Sequence, residues 1–304
     1  MKSPTLIFLM GPTACGKSAL AMDMARRLPF EIVSVDSALI YKGMDIGTAK
    51  PTQAERDEIP HHLIDICDPK TPYSVADFCL DAKHIIDDII SRDKIPLLVG
   101  GTMMYFNALK NGLSCLPASS PIIRLGLEQQ LHSEGLLALY QKLLTVDPII
   151  AKKLHEHDTQ RILRALEVYE LTGTPLSEWQ KNSDKKALNY DIRSFAVMPP
   201  ERETLHQNIH ARFDLMMSQG FMEEAQHLFN RGDLSEDLPS MRCVGYRQAW
   251  HYLSGEGDLL HMREGILAAT RQLAKRQVTW LRKWADLSWF VPGAVESVLS
   301  NCNL

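Results

Sequence analysis

The octapeptide Gly11-Pro12-Thr13-Ala14-Cys15-Gly16-Lys17-Ser18 sets two glycines, a lysine and a hydroxyl at spacings that suit one task, holding a polyphosphate. Glycines at 11 and 16 let the backbone turn its N–H groups inward onto the same anionic oxygens, and a following helix adds its positive N-terminal end. Lys17 then neutralises the outer phosphate, and the Ser18 hydroxyl is a ligand for Mg²⁺. The flanks agree with this reading. Apolar Leu6-Ile7-Phe8-Leu9-Met10 reads as a buried strand before the loop, and Ala19 to Ala25 as a helix after it. The motif leaves open which phosphate compound is held.

Chemistry on a bound phosphate compound also needs an acid or a base. Most phosphate-loop nucleotidases carry a carboxylate at the end of a second apolar strand. Here the obvious strand, Ile95 to Val99, runs into Gly100-Gly101-Thr102 with no acid. Asp36 closes the strand Glu31-Ile32-Val33-Ser34-Val35 and is the acid nearest the loop if that strand runs beside the first. As the residue that opens Asp36-Ser37-Ala38-Leu39 it is equally a turn cap. Asp65 and Asp68 read as turn residues. His61-His62 and the pair His155 and His157 lack acidic or cysteine partners at ligand spacing, which assigns them surface or loop roles.

A second kind of chemistry lies in the basic clusters. Six basic residues and one acid, Glu264, stand between Arg263 and Lys283, and Arg271, Lys275, Arg276, Arg282 and Lys283 interleave with Trp280 and Trp284. Such a face suits an RNA backbone, with tryptophan for stacking. A solvated helix face accounts for the same residues. Arg242-Cys243-Val244-Gly245-Tyr246-Arg247 and Gln160-Arg161 with Arg164 add two more clusters.

The elements that must position these groups alternate at first between strand and helix. Leu63-Ile64-Asp65-Ile66 reads as a third strand, Val75 to Ile90 as an amphipathic helix, and Ile95 to Val99 as a fourth strand. That alternation predicts an α/β fold with a doubly wound parallel sheet. From about Leu116 the spacing turns helical, over Leu125 to Tyr140, Ile149 to His155 and Gln160 to Leu171. Strand character returns at Ile192 to Val197. The expected organisation is an α/β core of residues 1–115 and 191–304 with a helical insertion domain at 116–190, its linkers in Pro117 to Pro121 or Asn182 to Asn189. The last third reads as helices over Glu201 to Gln219, Met222 to Asn230, Gly245 to Leu253 and Leu259 to Trp284, then a strand Leu287 to Phe290.

Composition narrows the classes. The 304 residues are 45% hydrophobic with a formal net charge of −4, which supports a sizeable core and argues against a uniformly basic nucleic-acid binder. Cys15, Cys67, Cys79, Cys115, Cys243 and Cys302 form no C-x-x-C pair, so reduced thiols in a cytoplasmic protein are expected rather than zinc or disulfides. Lys2 and the apolar run after it lead into the phosphate loop, not to a cleavage site, and no stretch is long enough to span a membrane.

Taken in order, several segments resemble the bacterial tRNA dimethylallyltransferase family. They are residues 11–18, Asp36-Ser37-Ala38-Leu39-Ile40-Tyr41, Asp45-Ile46-Gly47-Thr48-Ala49-Lys50-Pro51, Val99 to Thr102, Gln160-Arg161-Ile162-Leu163-Arg164, residues 242–247, and Lys275-Arg276-Gln277-Val278-Thr279-Trp280-Leu281-Arg282. The resemblance implies a P-loop NTPase-like fold and a monomeric enzyme. It implies dimethylallyl diphosphate as donor, Mg²⁺ as cofactor and the anticodon stem-loop of tRNA as acceptor. By similarity Asp36 is the base, Thr13, Lys17 and Arg212 hold the leaving diphosphate, and Thr102, Arg124 and the segments at 36–39, 160–164, 242–247 and 275–282 meet the RNA. Cys15 departs from the serine more usual in the family, and the zinc finger of the eukaryotic relatives is absent. Two other classes fit parts of the pattern, a phosphate-loop kinase acting on a small metabolite and a non-enzymatic RNA-binding protein. The missing strand-end carboxylate counts against the first, and the intact Lys17-Ser18 against the second.

Overall fold

A computed structural model describes residues 4–112, 116–182 and 190–302. The linker expected over Asn182 to Asn189 therefore lies almost wholly outside the described residues, as do Lys2 and Cys115. Six strands form one parallel sheet: β1 (Thr5–Met10), β2 (Phe30–Val35), β3 (His61–His62), β4 (Ile95–Gly100), β5 (Asp191–Val197) and β6 (Leu287–Phe290), in the order β3-β2-β4-β1-β5-β6. The helices before β5 are α1 (Lys17–Ala25), α2 (Gln53–Glu58), α3 (Val75–Ser91), α4 (Met103–Asn111), α5 (Pro121–Val146), α6 (Pro148–Ala151), α7 (Thr159–Thr172) and α8 (Leu176–Asn182). Those after it are α9 (Arg202–Ser218), α10 (Phe221–Phe229), α11 (Tyr246–Leu253), α12 (Leu259–Leu281) and α13 (Val295–Cys302).

The sheet is central because its strands are apolar on both faces. Leu6 to Met10 of β1 are wholly buried, each side chain worth about 1.5–3 kcal/mol of transfer free energy. A strand that reads as an unbroken apolar run can only be satisfied between two layers, which is where parallel strands sit. Helix starts follow local chemistry. Ser74 and Asp77 form a reciprocal cap at the head of α3, the Ser74 hydroxyl accepting the Asp77 N–H and the Asp77 carboxylate accepting the Ser74 N–H at 2.9 Å.

The chain divides into two compact units, Met1–Lys110 with Asn189–Leu304, and Asn111–Leu188. The second has its own apolar core, built from Leu127, Leu139 and Leu143 of α5 and Ile162, Leu166 and Val168 of α7. Two acids, Asp147 and Glu167, are buried with it. Glu167 accepts the Ser119 hydroxyl, the Ser120 N–H at 2.9 Å and Arg164 Nη1 at 2.9 Å. Within α5, Gly135 takes a left-handed φ of 80°, so the helical path breaks there.

Four expectations need correction. Leu63 to Ile66 is not a strand: pairing stops at β3, and the backbone turns left-handed at Leu63 and Asp65. The cause is Asp65, whose two carboxylate oxygens are taken by Lys50 Nζ and Arg56 Nη1. Two ion pairs on one side chain outweigh the apolar alternation around it. The histidine pair belongs to β3 rather than to a loop, and His62 Nε2 bonds the buried Glu31 carboxylate at 2.8 Å. The helix expected over Ile149 to His155 is the single turn α6, and the long C-terminal helix ends at Leu281, three residues before Trp284.

Candidate active site

β1 delivers the chain into the phosphate loop, where Ala14 and Gly16 adopt left-handed φ values of 62° and 87° and turn the backbone around the cradle. The first turn of α1 has no side-chain cap, which leaves its N–H groups for an anion. Lys17 Nζ lies 3.4 Å from the Pro12 carbonyl oxygen, folded back over the loop. Ser18 is exposed at the start of α1. Cys15 points the other way: its side chain is buried, and burial pushes the thiol pKa up.

Thr13, Lys17 and Ser18 border a cavity of about 610 Å³ whose other walls are Asp36 to Leu39, Thr102, Arg212, Arg242 to Gly245, Arg276, Gln277 and Trp280. Sheet geometry brings β2 and β4 to this edge together. A Cβ at Gly100 would sit 2.0 Å from the Val35 carbonyl oxygen, so glycine alone permits the close approach. The strand ends are then stitched, with Thr102 Oγ1 accepting the Ser37 N–H at 3.1 Å. Asp36 Oδ1 accepts the Ala38 N–H at 2.9 Å, so this carboxylate does cap its turn while bordering the cavity.

Arg212 reaches the site from α9 and donates through Nη2 to the Thr48 carbonyl at 2.9 Å. Burial pushes its guanidinium pKa below the ordinary value, and the Asp36 charge opposes that shift. A cation short of solvent beside an open cavity is well suited to an anionic ligand. Mg²⁺ also fits this donor set. It keeps several waters and takes one or two protein ligands beside substrate phosphates. The Ser18 hydroxyl, exposed at the cradle, meets that need. Among the described residues no group of three His, Cys, Asp or Glu forms a closed metal cage.

The stretches assigned to RNA divide by exposure. Lys275, Arg276 and Thr279 are exposed on α12 and Arg282 at its C-terminal cap, and Trp280 is 45% exposed. Arg242 and Arg247 are exposed, Arg242 pairing with Asp237 at 2.9 Å, while Val244 and Val278 are half-buried. In the second unit Gln160 and Arg161 are exposed, and Arg124 pairs along its helix with Glu128 at 2.9 Å. The Ile162, Leu163, Tyr246 and Leu281 side chains are buried in the core. Gly245 is likewise buried, with φ of 99° at the start of α11. Cys243 contributes wall rather than reactivity, since burial, helped by the Asp36 charge, pushes its thiol up to about 12. Arg164 spends its guanidinium on Glu167 and on the Pro117 carbonyl at 2.7 Å, and Gln277 spends both ends of its amide inside the protein.

Other residues that shape the site lie outside those stretches. Glu224 at the start of α10 accepts the N–H groups of Asp45, Ile46 and Gly47 at 2.7, 2.8 and 3.0 Å and the Tyr246 hydroxyl at 2.5 Å. It thereby fixes the turn whose Thr48 carbonyl receives Arg212. Buried Lys50 ties the same segment to Asp45, Asp65 and the Tyr41 carbonyl. Asn208 donates to the Ala14 carbonyl at 3.2 Å and braces the phosphate loop from α9. The only sequence signal for any of them is the run Asp45 to Pro51, whose role spacing does not reveal.

A family model described as IPP transferase matches residues 39–284. The chain belongs to the IPP transferase family. The tRNA dimethylallyltransferases of two Coxiella burnetii strains are 50% identical to it over 289 residues, which span 95% of this chain and 93% of each relative. Among solved structures, the tRNA isopentenylpyrophosphate transferase of Bacillus halodurans matches with a TM-score of 0.71 at 36% identity, covering 99% of this chain and 95% of that one. The corresponding Staphylococcus epidermidis enzyme matches at 0.71 and 33% identity, covering 99% of both chains. A eukaryotic dimethylallyltransferase acting on tRNA matches at 0.82 and 28% identity, over 99% of this chain and 77% of its own. The all-parallel sheet with its phosphate loop is thus the P-loop NTPase-like fold of this family.

Proposed function

We propose that the protein transfers the dimethylallyl group from dimethylallyl diphosphate to the exocyclic amine of the adenosine 3′-adjacent to the anticodon in tRNA, releasing diphosphate. One observation carries the reading. A single cavity joins a phosphate cradle, a carboxylate and an exposed basic helix bearing tryptophan. A diphosphate leaving group needs the same cradle as a nucleotide, but the bond that breaks is C–O rather than P–O. The amine nitrogen attacks the allylic carbon as the C–O pair departs onto diphosphate oxygen, and the amine proton passes to Asp36. Loop N–H groups, Lys17 and Arg212 meet the negative charge that grows on the leaving oxygen, where fixed donors lower the barrier most. Thr13 orients the same group. Ser18 would hold a Mg²⁺ ion at the cradle, which would add to the neutralisation of that charge. The exocyclic amine is a poor nucleophile, so a base in reach as the N–C bond forms is worth roughly 10²–10⁴ in rate. The adenine must leave its stack to reach the cavity, and Trp280 and Arg276 stand at its rim to receive the loop.

The test is to incubate the protein with unmodified tRNA, Mg²⁺ and dimethylallyl diphosphate labelled in the prenyl group, with γ-labelled ATP in parallel. Label from the prenyl donor on one adenosine of the anticodon loop, with none from ATP on any acceptor, is expected. Transfer of the ATP label instead would replace the reading with a kinase.

A further inference from the structure

Gln277 interrupts the exposed run of α12, standing after Lys275 and Arg276 and before Trp280, yet it turns inward and is only 8% exposed. Its amide is used at both ends. Oε1 accepts the Thr13 N–H at 2.9 Å, and Nε2 donates to the Gly101 carbonyl at 2.9 Å. The fit depends on a missing side chain, because a Cβ at Gly101 would lie 2.3 Å from Nε2. Gly101 has no left-handed φ, so glycine is required there for space and not for backbone conformation.

One side chain therefore spans three parts of the site. Thr13 belongs to the phosphate loop. Gly101 precedes Thr102, which accepts the Ser37 N–H beside Asp36. α12 carries the exposed cations Lys275 and Arg276. A buried amide satisfied at both ends holds its neighbours in one arrangement, since any shift leaves a polar group unpaired. Ordering either side of such a link reduces the ordering that remains for the other, and the effect is reciprocal.

We propose that Gln277 is a positioning residue that couples the two substrates: it holds the Thr13 turn and the Gly101 strand end to α12, so that diphosphate in the loop and RNA on the helix strengthen each other's binding. It touches no reacting atom and acts through Thr13 and Gly101. The inference rests on the transferase reading, which makes α12 an RNA-facing element.

The experiment titrates inorganic pyrophosphate with Mg²⁺ into the whole protein by calorimetry, with and without an unmodified anticodon stem-loop RNA. Wild-type protein is expected to bind pyrophosphate about 10-fold more tightly when RNA is present. In Gln277→Ala that ratio falls to about 1, a loss of the size mutations along a coupling network produce. Gly101→Ala, which displaces the amide without removing it, gives the same loss. The double variant matches either single one, because the added Cβ then meets no side chain. Should Gln277→Ala melt early, Gln277→Met keeps the volume and is read in its place. A wild-type ratio near 1, or losses that add in the double variant, overturns the coupling. Prenyl transfer assayed on the same preparations separates the two ideas: transfer with a ratio of 1 removes only the coupling, whereas no transfer removes the reading beneath it.

Discussion

Asp36 holds a turn with one oxygen while its carboxylate borders the cavity, and the two duties answer differently to one substitution. Asp36→Asn keeps an acceptor for the Ala38 N–H and caps about as well, but loses the base. Turnover under saturating donor and tRNA is expected to fall roughly 10²–10⁴-fold, with the melting temperature and tRNA affinity close to wild type. Near-normal turnover would leave Asp36 as a cap and the amine proton without an acceptor. Lys17 separates the substrates in another way. Lys17→Ala is expected to lower turnover by about 10²–10³-fold and to weaken diphosphate binding while tRNA affinity holds. A matching loss of tRNA affinity in a filter-binding assay would refute that division.

At the scale of elements, α12 has two faces. Met262, Ile266, Leu267, Ala274 and Leu281 are buried against the rest of the fold, while Lys275, Arg276 and Arg282 stand in solvent. If the outer face meets phosphates, tRNA affinity falls steeply with ionic strength, and Lys275→Ala or Arg282→Ala each lowers the log–log salt slope by about one. An unchanged slope would make this a solvated surface and nothing more. The same helix shows what a sequence can and cannot disclose. Its course, like that of α3, β1, β2, β4 and β5, follows from apolar spacing, since burial selects the periodicity, but its end at Leu281 does not. Helix α2 buries none of its residues, so it has no periodic signal to read. Leu63 to Ile66 misled because a strand-like run is overruled by the pull of Lys50 and Arg56 on Asp65. A motif marks a stretch, whereas only packing tells that Tyr246 and Leu281 face in while Arg247 and Arg282 face out. Glu224 was illegible for another reason: three of its four partners lie about 180 residues earlier, beyond the reach of any local pattern.

Across the whole molecule, acid should undo buried carboxylates in both units. Burial by itself would raise Glu31, but hydrogen bonds from Arg92 and His62 hold its pKa below the ordinary 4.5. Glu167 is held below 4.5 against burial by Ser119, Arg164 and the Ser120 N–H, and Asp65 below 3.8 by Lys50 and Arg56. A folded pKa below the unfolded one gives stability that is complete above the unfolded value and is lost as pH falls through the folded value. Thermal melting is therefore expected to be flat from neutral pH to about pH 5 and to drop below about pH 4. Glu31→Gln should melt lower at pH 7 and show a shallower acid decline. Equal declines for variant and wild type would remove Glu31 from that account.

The placing of β1 between β4 and β5 also bears on how the chain comes off the ribosome. One neighbour of β1 ends at Gly100, and the other does not begin until Asp191. A growing chain that has emerged only as far as α8 has β1 paired on one side and bare on the other, with unpaired backbone N–H and C=O groups along an apolar strand. The segment translated in that interval has a core of its own and is free to fold while the sheet waits. Premature termination before residue 191 thus leaves a sticky edge at the centre of the future sheet, and such fragments should be recovered as aggregates or as chaperone cargo, never as a working half-enzyme.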